Sequence, residues 1–377
     1  MRQRCLVLFS VLLFLAIPLF AQTPNATVVH RAAHLRHGIN ASEWFAQVYS
    51  GKYDPSHFDT YITPDDIALM HRMGFDHVRL SINPAPMFRD GDADAIPRNY
   101  LAYVDKAVNN ILQNGMAVII DLHPESDFKK RLTNDPGFPD EFADFWRALA
   151  KHYSNLDPER VFFEVMNEPE VEDTYKWQGL QAKFAAAIRQ GAPQHTIIAA
   201  GARWSSVDEL LMMQPLSDTN VIYNFHFYTP HDFTHQGATW SGNLQHYLTQ
   251  HVPYPSKPQD AAALERQVPN DLDKLWISRY AYDQWNAARI ESEISLAAAW
   301  AKQRGLVLTC NEFGVFRAYA DPNDRAAWLK DVRTTLEKYG IGWTMWDYRG
   351  GFGVVTKDKN GKSIPDPVTL RALGLES

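Results

Sequence analysis

The sequence predicts an α/β chain closed into a single (β/α)8 TIM barrel, on three observations. Short apolar, β-favouring runs alternate with helix-period segments along most of the 377 residues, an alternation that builds a parallel sheet with helices outside. Eight such runs can be counted, the number at which a parallel sheet closes on itself. The rival, an open doubly wound sheet, lacks its usual nucleotide sites, because no G-x-G-x-x-G or G-x-x-x-x-G-K-[ST] follows any run.

Ahead of the barrel stands M-R-Q-R, then a mostly apolar run from Leu6 to Phe20, then Ala21. Basic residues, a short apolar core and a small residue at the cut make a secretory signal peptide. The run is short for a membrane span and Pro18 breaks it. Residues 1–21 are therefore expected to be removed. Residues 22–377 should form one barrel domain, secreted or periplasmic, with no membrane span after cleavage.

Without Arg2 and Arg4, the 37 basic residues fall to 35 against 44 acidic ones, a net charge of about −9 with histidine neutral. No basic block stands out, which excludes nucleic acid as a partner. Twenty-two prolines, 11 tryptophans and 16 tyrosines describe a compact globule rather than a disordered chain. Length permits two domains, but α/β barrels run this long as one. Of the two cysteines, Cys5 leaves with the signal, so Cys310 is alone and no intramolecular disulfide can form. A strand position offers no helix N-terminus to lower its pKa, so Cys310 is expected to be a small buried hydrophobe.

A polar lead-in, 23–33, precedes a first strand at 35–39 that ends at Asn40. A helix at 64–73 is stopped by Gly74, and D-H-V-R-L-S-I makes the second strand, 76–82. The helix 99–114 carries Leu101, Val104, Ala107, Val108, Ile111 and Leu112 on one face and closes at Gly115. The third strand, 116–122, ends at His123, and a helix covers 140–153. The fourth strand, 161–165, is apolar and β-favouring, then gives way to Asn167-Glu168-Pro169. Proline has no N–H for the ladder, so the strand stops there. A helix at 175–189, a fifth strand at 196–200 and a short helix at 207–213 follow. The sixth strand, 221–227, has His226 near its end and Tyr228 just past it.

Next comes a long irregular stretch, 229–286, holding Trp240, Trp276 and Trp285. Loops of that length in compact domains usually serve function. A helix at 287–303, a seventh strand at 306–309 leading into Asn311-Glu312, a helix at 325–338 and an eighth strand at 341–346 complete the barrel. The tail from 350 on carries turns and a short helix at 368–373.

Read together, the strand ends present His123, Asn167 with Glu168, His226 with Tyr228, Glu312 and Trp346, with Arg79 slightly deeper in the second strand. A closed barrel brings these tips to one rim, the end where such folds do chemistry. A single histidine of this kind reads as a hydrogen-bonded core residue, and Arg79 alone as a buried ion pair. Packing does not explain so many polar tips at once. Glu168 and Glu312 would face each other across the mouth. Two carboxyl groups flanking a bond can divide the labour, one protonated as acid and one ionised as nucleophile, at a spacing of about 5–5.5 Å in retaining glycosidases. Glu164 shares their facing by alternation but lies four residues earlier, about 13 Å deeper at roughly 3.3 Å per residue. It is expected to be an interior group with a buried partner.

The motifs D-H-V-R-L-S-I, V-I-I-D-L-H, V-M-N-E-P, N-F-H-F-Y, L-T-C-N-E-F-G and T-M-W-D-Y run from Asp76 to Tyr348. In that order the chain resembles the cellulase-type family 5 glycoside hydrolases, of the clan of retaining (β/α)8 glycosidases. The resemblance implies that Glu168 is the acid/base and Glu312 the nucleophile. It implies that Asn167 binds the sugar 2-hydroxyl, that Arg79 keeps Glu312 ionised, and that His123 and His226 line the −1 subsite. Tyr228 would orient the nucleophile and Trp346 would floor the −1 sugar. Two departures bear on substrate and touch no catalytic position. The third strand ends D-L-H-P-E, where many members place another histidine or a glycine, and the loop after strand six is long. Within that loop F-T-H-Q-G-A-T-W again looks like a substrate loop of bacterial family 5 endoglucanases.

Flat aromatic rings match the C–H faces of sugars. Trp44, Trp204 and Trp240, in the loops after strands one, five and six, are expected as outer-subsite platforms, with core packing as the alternative for each. Trp146, Trp300 and Trp328 sit in helices and are read as packing. His34-x-x-His37 and His231-x-x-x-His235 have possible ligand spacing, but no H-E-x-x-H occurs and no third ligand is evident. No metal and no cofactor are expected. The expected activity is an endo-β-1,4-glucanase acting on a β-linked polysaccharide or oligosaccharide as a monomer. The alternatives are a β-mannanase or other β-glucan hydrolase and, from another class, a non-catalytic glycan-binding barrel.

Overall fold

A computed structural model describes residues 23–49, 53–87 and 98–375; the expected signal peptide, 1–21, lies outside them. Among the described residues the strands β1 (His37–Phe45), β2 (His77–Ile82), β3 (Ala117–Leu122), β4 (Val161–Glu164), β5 (Thr196–Ala200), β6 (Val221–Phe227), β7 (Leu308–Phe313) and β8 (Gly342–Met345) form a closed barrel. Each pairs in parallel with the next, and β8 returns to β1 with His37 opposite Trp343. The helices Pro64–Arg72, Arg98–Gln113, Phe138–Tyr153, Thr174–Gly191, Ala287–Arg304 and Pro322–Lys338 surround it. Their ends follow local chemistry. Thr63 and Asp66 make a capping box before Pro64–Arg72, Asp321 caps Asn323 and Asp324, and Gly305 closes its helix at φ +62°.

Period-2 alternation sorts the barrel interior into tiers. Ile119, Phe162, Ile198 and Ile222 form an apolar floor with Ala117, Leu35 and Val28. Two residues further along their strands stand Asp121, Glu164 and Asn224, which are buried and polar. The carboxyl groups of Glu168 and Glu312 come after that tier.

Several expected boundaries shift. β1 does not stop at Asn40 but runs to Phe45. Asn40 looked like a strand end because it is polar, yet it points inward and donates to the carbonyls of Asn311 and Met345. The lead-in contains the helix Ala26–Ala32, capped by Asn25, whose Val28 seals the floor. The stretch 229–286 is not irregular throughout. It holds the helices His231–Thr234, Asn243–Tyr247, Ala261–Glu265 and Asp271–Tyr282, which bury Leu264, Ile277 and Tyr280. The helices Pro55–Thr60 and Ser126–Asn134 were not foreseen, nor was the hairpin Val355–Lys357 with Ser363–Pro365. No helix of the described residues is long and apolar enough to cross a membrane.

Candidate active site

Arg79 organises the tier beneath the mouth. It is fully buried, and its guanidinium grips Glu164 twice, Nε to Oε2 and Nη2 to Oε1, each at 2.8 Å. Nη1 donates to Asn40 Oδ1 at 2.9 Å and to Glu312 Oε1 at 2.6 Å. Nη2 reaches Asn167 Oδ1 at 2.9 Å and Asp121 Oδ2 at 3.1 Å. Burial works against the charged guanidinium, but Asp121, Glu164 and Glu312 outweigh it and its pKa lies above the ordinary value. Glu164 also accepts from Asn311 Nδ2 at 2.7 Å and Asn224 Nδ2 at 3.2 Å. It is the interior, partnered carboxylate expected of it.

The network also orients Asn167. Its oxygen takes Arg79, and its nitrogen meets His123 Nε2 at 2.9 Å. His123 Nδ1 lies 2.9 Å from Asp121 Oδ2. Burial, helped by Arg79 and Lys129, holds His123 well below the usual histidine range. The neutral ring thus donates from Nδ1 and accepts at Nε2, which assigns the amide its flip and leaves its second N–H unused by these partners. Asp121 is pushed up to about 6, by burial first, against the pull of Arg79.

Glu168 follows the end of β4 at φ +41°. A left-handed backbone at a non-glycine residue is strained and turns the side chain out of the alternation of the strand. One oxygen of Glu168, one of Glu312 and a nitrogen of His226 lie within 4.8 Å of one another. His226 Nδ1 is 2.9 Å from Glu168 Oε1 and 3.5 Å from Glu312 Oε2. Burial lowers His226 to about 4, so the ring is neutral. Tyr228 donates its hydroxyl to Glu312 Oε2 at 2.9 Å. Burial pushes both carboxyl groups up; Glu168 adds to the rise at Glu312, and Glu170 to that at Glu168. Arg79 and Tyr228 both donate to Glu312, which favours its anion, while His226 is the hydrogen-bond partner of Glu168.

These groups open into a cleft of about 900 Å³, lined by Glu168, Glu312, His123, His226, Tyr228 and Trp346. Trp346 stacks on His123, centroids 5.6 Å apart and planes at 22°. Trp204 and Trp240 also line it and are 56% and 61% exposed. Trp240 stands edge-on to Phe316 at 4.8 Å. Trp44 does not reach the cleft. It is 5% exposed, donates its indole N–H to Phe58 O at 2.8 Å, and packs against Phe45 with ring centroids 4.6 Å apart, within the main core. The cause is a register shift in β1 between Ala41 and Phe45, with Glu43 at φ +54°. The bulge re-aims the strand and sends Trp44 outward.

Glu43, Tyr49, Asp347, His231 and His235 line the cleft as well and were not singled out as site residues. Asp347 adjoins Trp346 in T-M-W-D-Y, and Glu43 adjoins Trp44, but sequence does not show which of two neighbours faces the mouth. Burial, with Glu43 adding to it, pushes Asp347 up to about 7. His231 and His235 stack face to face at 3.9 Å, so their spacing builds a wall. Cys310 is buried and free, as expected.

A parallel barrel with two close carboxyl groups at its mouth, one of them held by a cation, has the equipment of a glycoside hydrolase. The family model "Cellulase (glycosyl hydrolase family 5)" matches residues 42–351. The chain belongs to glycosyl hydrolase family 5. Endoglucanase C of Acetivibrio thermocellus is 31% identical over 318 residues, which cover 83% of this chain and 90% of that protein. Cellodextrinase A of Ruminococcus flavefaciens is 27% identical over 312 residues, 81% of this chain and 82% of that one. Among solved structures, endoglucanase Cel5A from the hyperthermophilic Thermotoga maritima superposes with a TM-score of 0.74 at 24% identity. The match covers 92% of this chain and 99% of that one, a likeness of fold.

Proposed function

We propose that this hydrolase is an endo-β-1,4-glucanase that cuts a β-linked glucan with retention, Glu312 serving as nucleophile and Glu168 as acid and base. The carrying observation is that the two carboxylates approach within 4.8 Å, while Arg79 and Tyr228 both hold Glu312. A nearest oxygen-to-oxygen approach that short favours the close carboxyl spacing of retaining enzymes, about 5–5.5 Å, over the roughly 6.5–9.5 Å that leaves room for a water. The two relatives, named an endoglucanase and a cellodextrinase, support a β-glucan as substrate.

Glu168 gives its proton to the glycosidic oxygen while Glu312 attacks the anomeric carbon. The bond to the leaving sugar breaks and an ester to Glu312 forms. Burial favours the protonated form of Glu168 at the start; once Glu312 is esterified its charge is gone, and an ionised Glu168 no longer faces a second anion. Glu168, now ionised, takes a proton from water, and the water hydrolyses the ester. The steps balance with no cofactor and no metal. Arg79 stabilises the anion of Glu312 by charge. The unused N–H of Asn167 is available to the sugar 2-hydroxyl, and Trp346, backed by His123, floors the −1 sugar. Trp204 and Trp240 serve as outer platforms. Residues 1–21 direct export, and the mature chain works as a monomer.

Early-time NMR of the released anomer tests the mechanism: the β-anomer is expected first, and initial α-anomer refutes it. A screen on carboxymethyl cellulose, mixed-linkage glucan, mannan, xylan and xyloglucan, with products sized, tests the substrate. Cleavage of mannan alone would replace the glucanase with a mannanase. Tight binding without any cleavage would leave a glycan-binding barrel. Sequencing the N-terminus of exported protein checks the cut after Ala21, and size-exclusion chromatography checks the monomer.

A further inference from the structure

We propose that His30, His34 and Glu159 form a binding site for a zinc-class divalent ion, which fastens the N-terminal helix to the bottom of the barrel. His30 lies in the last turn of the helix Ala26–Ala32 and His34 four residues on, in the turn that leads to β1. Glu159 comes from the turn before β4. One donor atom from each lies within 4.8 Å of the other two.

Glu159 is held in an unusual way. Its Oε1 accepts from Arg31 Nε at 2.9 Å. Arg31 is itself tied to Gln194 O at 2.5 Å and Thr196 Oγ1 at 3.2 Å, so the carboxylate is not free to swing. Its Oε2 is shielded from solvent yet accepts no hydrogen bond among the described residues, although His30 Nε2 stands 3.3 Å away. The rings of His30 and His34 meet edge to face, 6.1 Å between centroids. Two imidazoles and a carboxylate oxygen thus converge, and an ion at their centre would satisfy the orphan oxygen. Asp157, close enough to His34 to interact with it electrostatically, adds negative charge.

The donor set selects the metal. Two imidazole nitrogens and one carboxylate oxygen suit zinc and its neighbours, with water in a fourth position. Calcium and magnesium prefer oxygen ligands throughout. The location selects the role. Val28 of the same helix belongs to the apolar floor, at the opposite end of the strands from Glu168 and Glu312. An ion joining residues 30 and 159 would hold this helix over the floor, and its effect is on stability.

Glu168, His226 and Glu312 also place three donor atoms within 4.8 Å of one another, so the test must separate the two clusters. Metal-free mature protein is titrated with zinc chloride and followed by thermal unfolding and calorimetry. Zinc at about one hundred times its dissociation constant should raise Tm by about 3–6 °C. The rise should vanish in the double variant His30→Ala/His34→Ala and persist in Glu168→Gln. The His30 side chain is 73% exposed, so its removal should not disturb the fold. His30→Gln, titrated by calorimetry at 25 °C, gives the same comparison without thermal unfolding and should bind at least tenfold more weakly. No rise in the wild type, a full rise in the double variant, or a rise lost only in Glu168→Gln would overturn the proposal.

Discussion

Replacing Tyr228 with phenylalanine tests which of the two carboxyl groups is the nucleophile. The Tyr228 hydroxyl donates to Glu312 Oε2 at 2.9 Å, while its ring packs against His235 and Phe352 at 5.1 and 6.1 Å. Phenylalanine keeps the ring contacts and removes only the hydrogen bond. A hydrogen bond to a charged acceptor contributes about 1.5–3 kcal/mol, and one pKa unit corresponds to about 1.4 kcal/mol. The variant should therefore raise the pKa of Glu312 by about 1–2 units. Glu312 must be ionised to attack, so activity is lost as pH falls through that pKa. The acidic limb of kcat/KM, which reports the free enzyme, should move to higher pH by the same amount. The assay is kcat/KM for an aryl β-cellobioside across pH 3–9, with Tm measured in parallel. An acidic limb that stays in place, with kcat/KM within about twofold of wild type at every pH, would refute the assignment of Glu312 as the ionised partner.

Outcomes are expected for four further substitutions. Glu168→Gln removes the proton donor and should lower kcat on polysaccharide by about 10²–10⁴-fold; an aryl glycoside with a good leaving group should lose far less in its first step, seen as a burst of phenol. Trp44→Phe gives up the bond to Phe58 O and should cost about 1–3 kcal/mol in urea denaturation at unchanged KM, whereas Trp240→Ala should raise KM and leave Tm within about 1 °C. Asp66 is buried, which raises its pKa, but hydrogen bonds from Ser363, Thr63 and Tyr348 prevail and hold it at about 2. Its folded value is depressed, so it stabilises the protein above its unfolded pKa, near 4, and that contribution is lost as pH falls through about 2. Asp66→Asn should cost about 1–2 kcal/mol at pH 7, allowing for solvent screening, and flatten the pH dependence of stability between those two values.

Arg79 shows how closely structure and chemistry are joined in this barrel. One buried cation touches Asp121, Glu164 and Glu312. Its removal would strand three carboxylates without their counter-charge, which makes a clean catalytic test at this position unattainable. Tyr228 and Glu168 are the better probes because each has neighbours that tolerate a near-isosteric change.

By itself the sequence determined the barrel and the residues at its strand tips. Most of the barrel strands are short apolar runs, and the bounds of β5 and β6 were legible to the residue because polar or turn-forming neighbours flank them. Glu168, Glu312, Asn167, His123, His226, Tyr228 and Trp346 were legible because core packing gives an apolar strand no reason to end on a polar tip so many times over. Tertiary structure decided what depends on where a side chain points. A register shift after Ala41 and the left-handed backbone at Glu43 turned Trp44 into the core; neither leaves a mark that period-2 counting can detect. Short helices between 229 and 286 escaped because their burial comes from contacts with distant parts of the chain. The approach of the two carboxylates, and the donors that hold Glu312, required closure. Only then do Arg79 from β2 and Tyr228 beyond β6 meet a glutamate from β7, and pKa depends on those distances rather than on separation along the chain.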